Sequence, residues 1–309
     1  MVITMLYKAS FHNHTKYSDG SFQIEDLLHK LKKINGVLKQ DQGVMIKGLA
    51  IVDHDFYPDE AMIKASREHA ARHDIDLIFG TEISADNDRV HIVGYQIDAS
   101  NFSFLRHVIK EQYKRLEAFE ATCRNLNHFF HMKGKSIDLD RDLGHKTLKK
   151  NMEGLISAHG PLRWHYLREA MVERGMAKDT SEANTLIGPG GPCYHQRETI
   201  DSVMAVERVL KWGGKPVLAH PHKIPEEYRQ LVISSLIRAG LAGIEAYTGS
   251  YDEPEDKNIY VRIAREKNLL ILAGTDLHRH IDDVGKFLLP YEAFQGLRDY
   301  QPKVNDMPA

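Results

Sequence analysis

Cysteine is nearly absent from this chain: only Cys123 and Cys193 occur in 309 residues. They stand far apart and outside any Cys-x-x-Cys spacing, which argues against a disulfide framework and against a thiolate zinc site. A reducing, cytoplasmic setting fits that usage. No apolar run approaches the roughly 20 residues that cross a bilayer, so no membrane partner is expected. Met1 to Leu6 lack both a basic segment and a long apolar one, so no cleaved leader is expected. A dominant charge is lacking too, with 41 Lys and Arg against 43 Asp and Glu, a net charge of -2. The chain therefore has no global pull toward nucleic acid or an anionic surface, and any basic patch must be local. Internal repeats and low-complexity tails are missing as well.

What is present is ordinary globular material, 42% hydrophobic and 27% charged, enough for one large domain or a domain with an insert. Short runs rich in Ile, Leu and Val alternate with longer amphipathic stretches, the pattern of buried parallel strands crossed by helices. About seven such strands can be counted. Helices are expected over Phe22 to Ile34, Pro58 to Arg72, Ser202 to Trp212, Glu226 to Ala239 and Pro254 to Lys267. Ser21 would cap the first, and Pro58 and Pro254 would occupy first turns. The rhythm breaks over residues 99–199. There a long helix from Phe102 to His131, a polar stretch from Lys133 to Met152 and a helix from Pro161 to Arg174 precede the loop signal Gly188-Pro189-Gly190-Gly191-Pro192. The expected fold class is α/β: a barrel domain over 1–98 and 200–309, with a mostly helical inserted subdomain over 99–199.

Histidine is abundant, at 18 residues. His29, His69, His73, His107, His128 and His131 read as surface or satisfied core groups. The others follow a pattern, because short apolar runs carry a His, Asp or Glu at or near an end. His12-Asn13-His14 and Ser18-Asp19-Gly20 follow the first run, Asp53-His54-Asp55 the second, and Glu82 the third. His91 opens a run, His220 closes one, Glu245 lies within one, and Asp276-Leu277-His278 follow the last. Strand-end residues share one rim of a barrel. His12 and His14 are two apart and so share one face of an ideal strand; a strand that ends or bends between them is expected to let both imidazoles reach the rim. An imidazole and carboxylate set without thiolate suits Zn(II), Mn(II) or Fe(II). A carboxylate such as Glu82 could bridge two cations, and metal pairs of that kind serve hydrolysis.

These motifs resemble the polymerase and histidinol phosphatase (PHP) superfamily of metal-dependent phosphoesterases. The resemblance rests on His-x-His at 12 and 14, Ser-Asp-Gly at 18 to 20, Asp-His-Asp at 53 to 55, Glu82, His-Ile-Val-Gly at 91 to 94, Ala-His-Pro at 219 to 221 and Asp-x-His at 276 to 278. It implies a distorted (β/α)7 barrel with two or three divalent metal ions (Mn, Zn or Fe). His12, His14, Glu82 and Asp276 would hold the first, Glu82, His91 and His220 the second, and Asp19, His54 and His278 the third. The insert resembles that of the subgroup of small-nucleotide phosphatases and 5′-to-3′ exoribonucleases, through Met171 to Gly175, Lys178-Asp179, Glu182-Ala183 and Gly190-Gly191-Pro192, with Arg163-Trp164-His165 ahead. On that likeness the insert is expected to cover the active site.

The implied activity is hydrolysis of phosphomonoesters of nucleotides, either nucleoside mono- or bisphosphates or the 5′ ends of short oligonucleotides, by metal-activated water. His222, Asp19 and His54 are the candidates for direct catalytic roles. Arg163, His195, Arg197, His222 and Lys223 are the candidates to bind substrate phosphate. The expected partner is a small phosphorylated substrate, with short RNA or DNA as an extension; the basic stretch from Lys133 to Lys150 is interleaved with Asp and reads as a solvated loop. The alternatives are an amidohydrolase-type C–N hydrolase, a histidinol-phosphate-type phosphatase and a non-catalytic metal-binding module.

Overall fold

A computed structural model describes residues 5–143, 164–248, 253–255 and 257–302. It divides into two compact units, Met1–Val108 with Thr199–Ala309, and Ile109–Glu198.

The first unit is built on eight strands: β1 Leu6–Asn13, β2 Val44–Ile51, β3 Asp76–Ala85, β4 Val90–Tyr95, β5 Lys215–Leu218, β6 Gly243–Thr248, β7 Leu270–Gly274 and β8 Leu289–Pro290. They hydrogen-bond in the order β7-β6-β5-β4-β3-β2-β1-β8. The ring nearly closes where the backbone of Leu277, just past β7, exchanges hydrogen bonds with His12 and His14. The expected α/β barrel is therefore present, with one change of direction. β4 runs antiparallel to both β3 and β5, whereas the pairs β1–β2, β2–β3, β5–β6 and β6–β7 are parallel.

The strands are apolar on both faces, as burial on both sides requires. Ala9, Phe11, Ala50, Val52, Ile78, Val93, Tyr95, Val217 and Leu272 form an interior cluster. Ile46, Leu49, Phe79, Ile92 and Leu218 belong to a second, larger buried cluster that also takes in Leu27, Leu28 and Leu31 of the helix Ile24–Gln42 and Ala205, Val206 and Val209 of the helix Ser202–Lys211. At the N-terminal end of the strands, Phe294 and Leu297 from the helix Tyr291–Asp299 join the interior cluster. Lys215 at the start of β5 donates to the last carbonyls of that helix, Leu297 O at 2.8 Å and Arg298 O at 2.5 Å. Cations are favourable at helix C-termini, and this one fixes the floor of the barrel.

Several helix ends differ from expectation. The first helix runs to Gln42 instead of Ile34, because Asn35 clips it to β2 by exchanging two 2.8 Å hydrogen bonds with the backbone of Ile46. It stops at Gly43, whose φ of 64° supplies the left-handed cap. Gln23, not Ser21, is its N-cap residue, and without a side-chain bond. Asp59, not Pro58, starts the helix Glu60–Ala71 by accepting from Met62 N, and Asn258 caps Ile259–Lys267 well after Pro254.

In the second unit the end of the helix Phe102–Phe130 packs with the helices Trp164–Glu173 and Thr180–Ile187 through Phe119, Leu126, Leu167, Met171 and Ile187. Both cysteines are free and buried in this cluster. Among the described residues, no helix is long and apolar enough to cross a membrane.

Candidate metal centre

Each strand delivers its polar residue by a local device. In β1, Ala9 and Phe11 face the interior, and the register against β2 then shifts between Ser10 and Asn13. Such irregularities re-aim side chains, and here both His12 and His14 end fully buried at the rim. Glu82 continues the inward alternation of Ile78 and Gly80 along β3. The pairing of β2 and β3 extends past the end of β2 through Asp55 N to Glu82 O at 3.1 Å, which brings His54 beside Glu82. The reversal of β4 explains why His91 opens its strand: the start of an antiparallel strand lies level with the ends of its neighbours. Asp55, His220 and Asp276 hold positive φ values of 45°, 27° and 55°, conformations that cost about 1–3 kcal/mol each and persist where packing fixes them.

Glu82 is the hub. Its Oε2 lies 3.1 Å from both His12 Nε2 and His14 Nε2 and 3.3 Å from His54 Nδ1. Its Oε1 lies 2.8 Å from His91 Nδ1 and 3.0 Å from His220 Nε2. Asp276 Oδ1 completes the first set at 3.5 Å from His12 Nε2 and 3.2 Å from His14 Nε2. On the outer side, Asp19 Oδ2 is 3.1 Å from His278 Nε2 and 4.0 Å from His54 Nε2, and Asp19 Oδ1 is 3.8 Å from His14 Nδ1. All nine expected ligands thus gather on one rim. Three groupings have ligand atoms within 4.8 Å of one another: His12, His14, Glu82 and Asp276; His14, Asp19, His54 and His278; and His54, Glu82 and His91.

This donor set fits divalent cations. The Nε2 atoms of His12 and His14 are only 3.0 Å apart and converge on the same carboxylate oxygens, an arrangement in which a shared positive charge satisfies every lone pair. Asp19 Oδ1 is buried without a hydrogen-bond partner. The electrostatics ask for the same charge. Burial alone would lower His14, yet Asp276, Glu82 and Asp19 raise it to about 10. Burial would also lower His12, but Glu245 and Glu82 raise it well above the usual imidazole range. Glu82, which burial would raise, is held far below the usual carboxylate range by His54, His12 and His91.

The substrate candidates divide between the units. Lys223 Nζ is 2.7 Å from Asp276 Oδ2, so a cation stands directly beside a ligand of the first set. His222 Nδ1 is 3.2 Å from Thr248 Oγ1, and burial, with His220, Lys223 and Arg229, pushes it down to about 4. Arg197 belongs to the second unit, buried with Nη1 3.9 Å from Glu111 Oε2. His195, also in that unit, donates its backbone N–H to Thr122 Oγ1 at 3.0 Å. Arg163 lies outside the described residues.

Two residues of the rim were given no role from sequence. Asp53 accepts from Thr15 N at 2.7 Å, from Thr15 Oγ1 at 2.6 Å and from Ser18 Oγ, pinning the loop that carries Asp19. Glu245 lies 2.7 Å from His12 Nδ1. Its only signal in the sequence is an acid in the middle of an apolar run.

Comparison with known proteins agrees with this architecture. No family model matches the chain. A 5′-3′ exoribonuclease of Haemophilus influenzae is 24% identical over 287 residues, covering 89% of this chain and 91% of that protein. A phosphoribosyl 1,2-cyclic phosphate 1,2-diphosphodiesterase of Eggerthella lenta is 24% identical over 302 residues, covering 92% and 97%. Among solved structures, a protein of Bifidobacterium adolescentis described as a metal-dependent phosphoesterase superposes with a TM-score of 0.71 at 20% identity, covering 95% of each chain. One of Chromobacterium violaceum described as an amidohydrolase gives 0.69 at 22% identity, covering 94% and 95%. The chain has the fold of these two solved structures.

Proposed function

We propose that the chain is a metal-dependent phosphoric ester hydrolase acting on nucleotide phosphates: nucleoside mono- or bisphosphates, or the 5′ ends of short oligonucleotides. The observation that carries this reading is the division of Glu82, whose two oxygens face two different imidazole sets. That is the geometry of a bridging carboxylate. Divalent cations held by the nine rim residues would lower the pKa of a coordinated water and neutralise phosphoryl oxygens.

The protein's own groups supply the rest. Lys223, already on Asp276, is placed to take a phosphoryl oxygen as a point charge. His222, oriented by Thr248, is placed to hydrogen-bond the leaving oxygen. Asp19 and His54 shape the outer side, where a second phosphate or the ester oxygen would enter. The names of the curated relatives, an exoribonuclease and a cyclic phosphate diphosphodiesterase, support a phosphate ester bearing a ribose.

A screen of metal-stripped protein reloaded with Mn(II), Zn(II) or Fe(II) tests this, using nucleoside mono- and bisphosphates, ribose cyclic phosphates and 5′-phosphorylated short RNAs. Product formation only after reloading is expected: inorganic phosphate from the monoesters, ring-opened monoester from the cyclic phosphates, and phosphate or mononucleotide from the RNAs. Absence of any of these products with metals bound would favour a non-catalytic module, and hydrolysis confined to a set of amides assayed in parallel would favour the C–N hydrolase.

A further inference from the structure

Glu245 is a carboxylate in the barrel interior, 1% exposed, on the inward face of β6 where it pairs with the core residue Leu272. Burying a charge there is expensive unless it is paired and hydrogen-bonded. It has two partners, one on β1 and one just past the end of β5. Oε1 lies 2.7 Å from His12 Nδ1, and Oε2 accepts the backbone N–H of His220 at 2.9 Å. His12 directs its other nitrogen, Nε2, at Glu82, His14 and Asp276. His220 is the residue with φ 27°, whose Nε2 lies on the far oxygen of Glu82.

We propose that Glu245 is a positioning residue for the metal centre: one carboxylate holds His12 as the Nδ1–H tautomer, freeing Nε2 as a ligand, and fixes the backbone of His220. It thereby sets one ligand on each side of the Glu82 bridge. This rests on reading the rim as a metal site. A carboxylate behind a ligating imidazole fixes ring orientation and raises its basicity, and losing such a partner typically costs 10–100-fold in metal affinity. Glutamine cannot replace it, because its amide has one acceptor oxygen where His12 and His220 need two.

The test compares the wild-type protein with Glu245→Gln by isothermal titration of Mn(II) and Zn(II) into stripped protein, with the melting temperature of the stripped forms as a control. The expected result is a fall in affinity of roughly 10–100-fold, larger than any loss of stripped-state stability accounts for. Nitrogen-15 spectra of histidine-labelled, Zn(II)-loaded wild type provide a second measurement that needs no variant. There His12 is expected to carry its proton on Nδ1. Wild-type affinity in Glu245→Gln, or the opposite His12 tautomer in the wild type, overturns the proposal. Wild-type protein that binds neither cation overturns the metal reading itself, which is a different outcome.

Discussion

A Cβ added at Gly274 would stand 2.2 Å from the Cβ of His12. The end of β7 and the end of β1 can therefore approach closely enough to join their ligands only because residue 274 has no side chain. Gly274→Ala should push His12 out of line. The expected result is weaker cation binding by at least roughly 10-fold and about 1–3 kcal/mol of lost stability from overpacking, read by metal titration and chemical denaturation. Unchanged binding would mean that His12 is not a ligand.

Glu82 and Asp276 should differ in what their removal costs. Glu82 uses both oxygens on imidazoles, whereas Asp276 turns Oδ1 to His12 and His14 and gives Oδ2 to Lys223. Glu82→Gln should lose more metal per chain than Asp276→Asn, measured by elemental analysis after desalting. Both should lower turnover by at least roughly 100-fold. Equal metal loss would contradict a bridging role for Glu82.

The floor of the barrel should behave in the opposite way. Phe294 is fully buried in the interior cluster at the N-terminal end of the strands. Phe294→Ala should cost about 3–5 kcal/mol of stability while metal stoichiometry and turnover per folded chain remain near wild type, because the chemistry of such barrels sits at the other end. Denaturant unfolding and elemental analysis check it.

A pH effect is expected in the second unit. Arg141, followed by the backbone N–H of Asp138 and by Arg174, holds the carboxyl of Asp142 well below its usual range. A depressed folded-state value gives stability that is fully present above the unfolded value, about 3.9, and is lost as pH falls through the folded value. Asp142→Asn should lower the melting temperature at pH 7 by about 1–3 °C, and the difference from wild type should shrink below pH 4. A difference that grows on acidification would contradict the assignment.

The barrel and the rim were legible in the sequence for one reason: strands buried on both faces leave unbroken apolar runs, and polar residues at their ends stand out. The register shift in β1 was not legible; with Ala9 and Phe11 facing the interior, it is this irregularity between Ser10 and Asn13 that accompanies the turn of His12 and His14 to the rim. The reversal of β4 was not legible, since an apolar run has no direction; His91 at the start of its run was the only trace. The helix Tyr291–Asp299 escaped notice because just Phe294 and Leu297 are buried along it. The helix over 24–42 ran past its expected end because Asn35, usually a helix terminator, is satisfied by Ile46. Glu245 could not be assigned because its two partners, His12 on β1 and His220 just past β5, are brought to it only by the fold.

The most direct measurement is a titration of Mn(II) into stripped protein while following inorganic phosphate released from a nucleoside bisphosphate. With Glu82 dividing its oxygens between two ligand sets, phosphate release should be absent from the stripped chain and should rise steeply only as occupancy passes one ion per chain. Turnover in the stripped chain, or full loading without phosphate release, would contradict it.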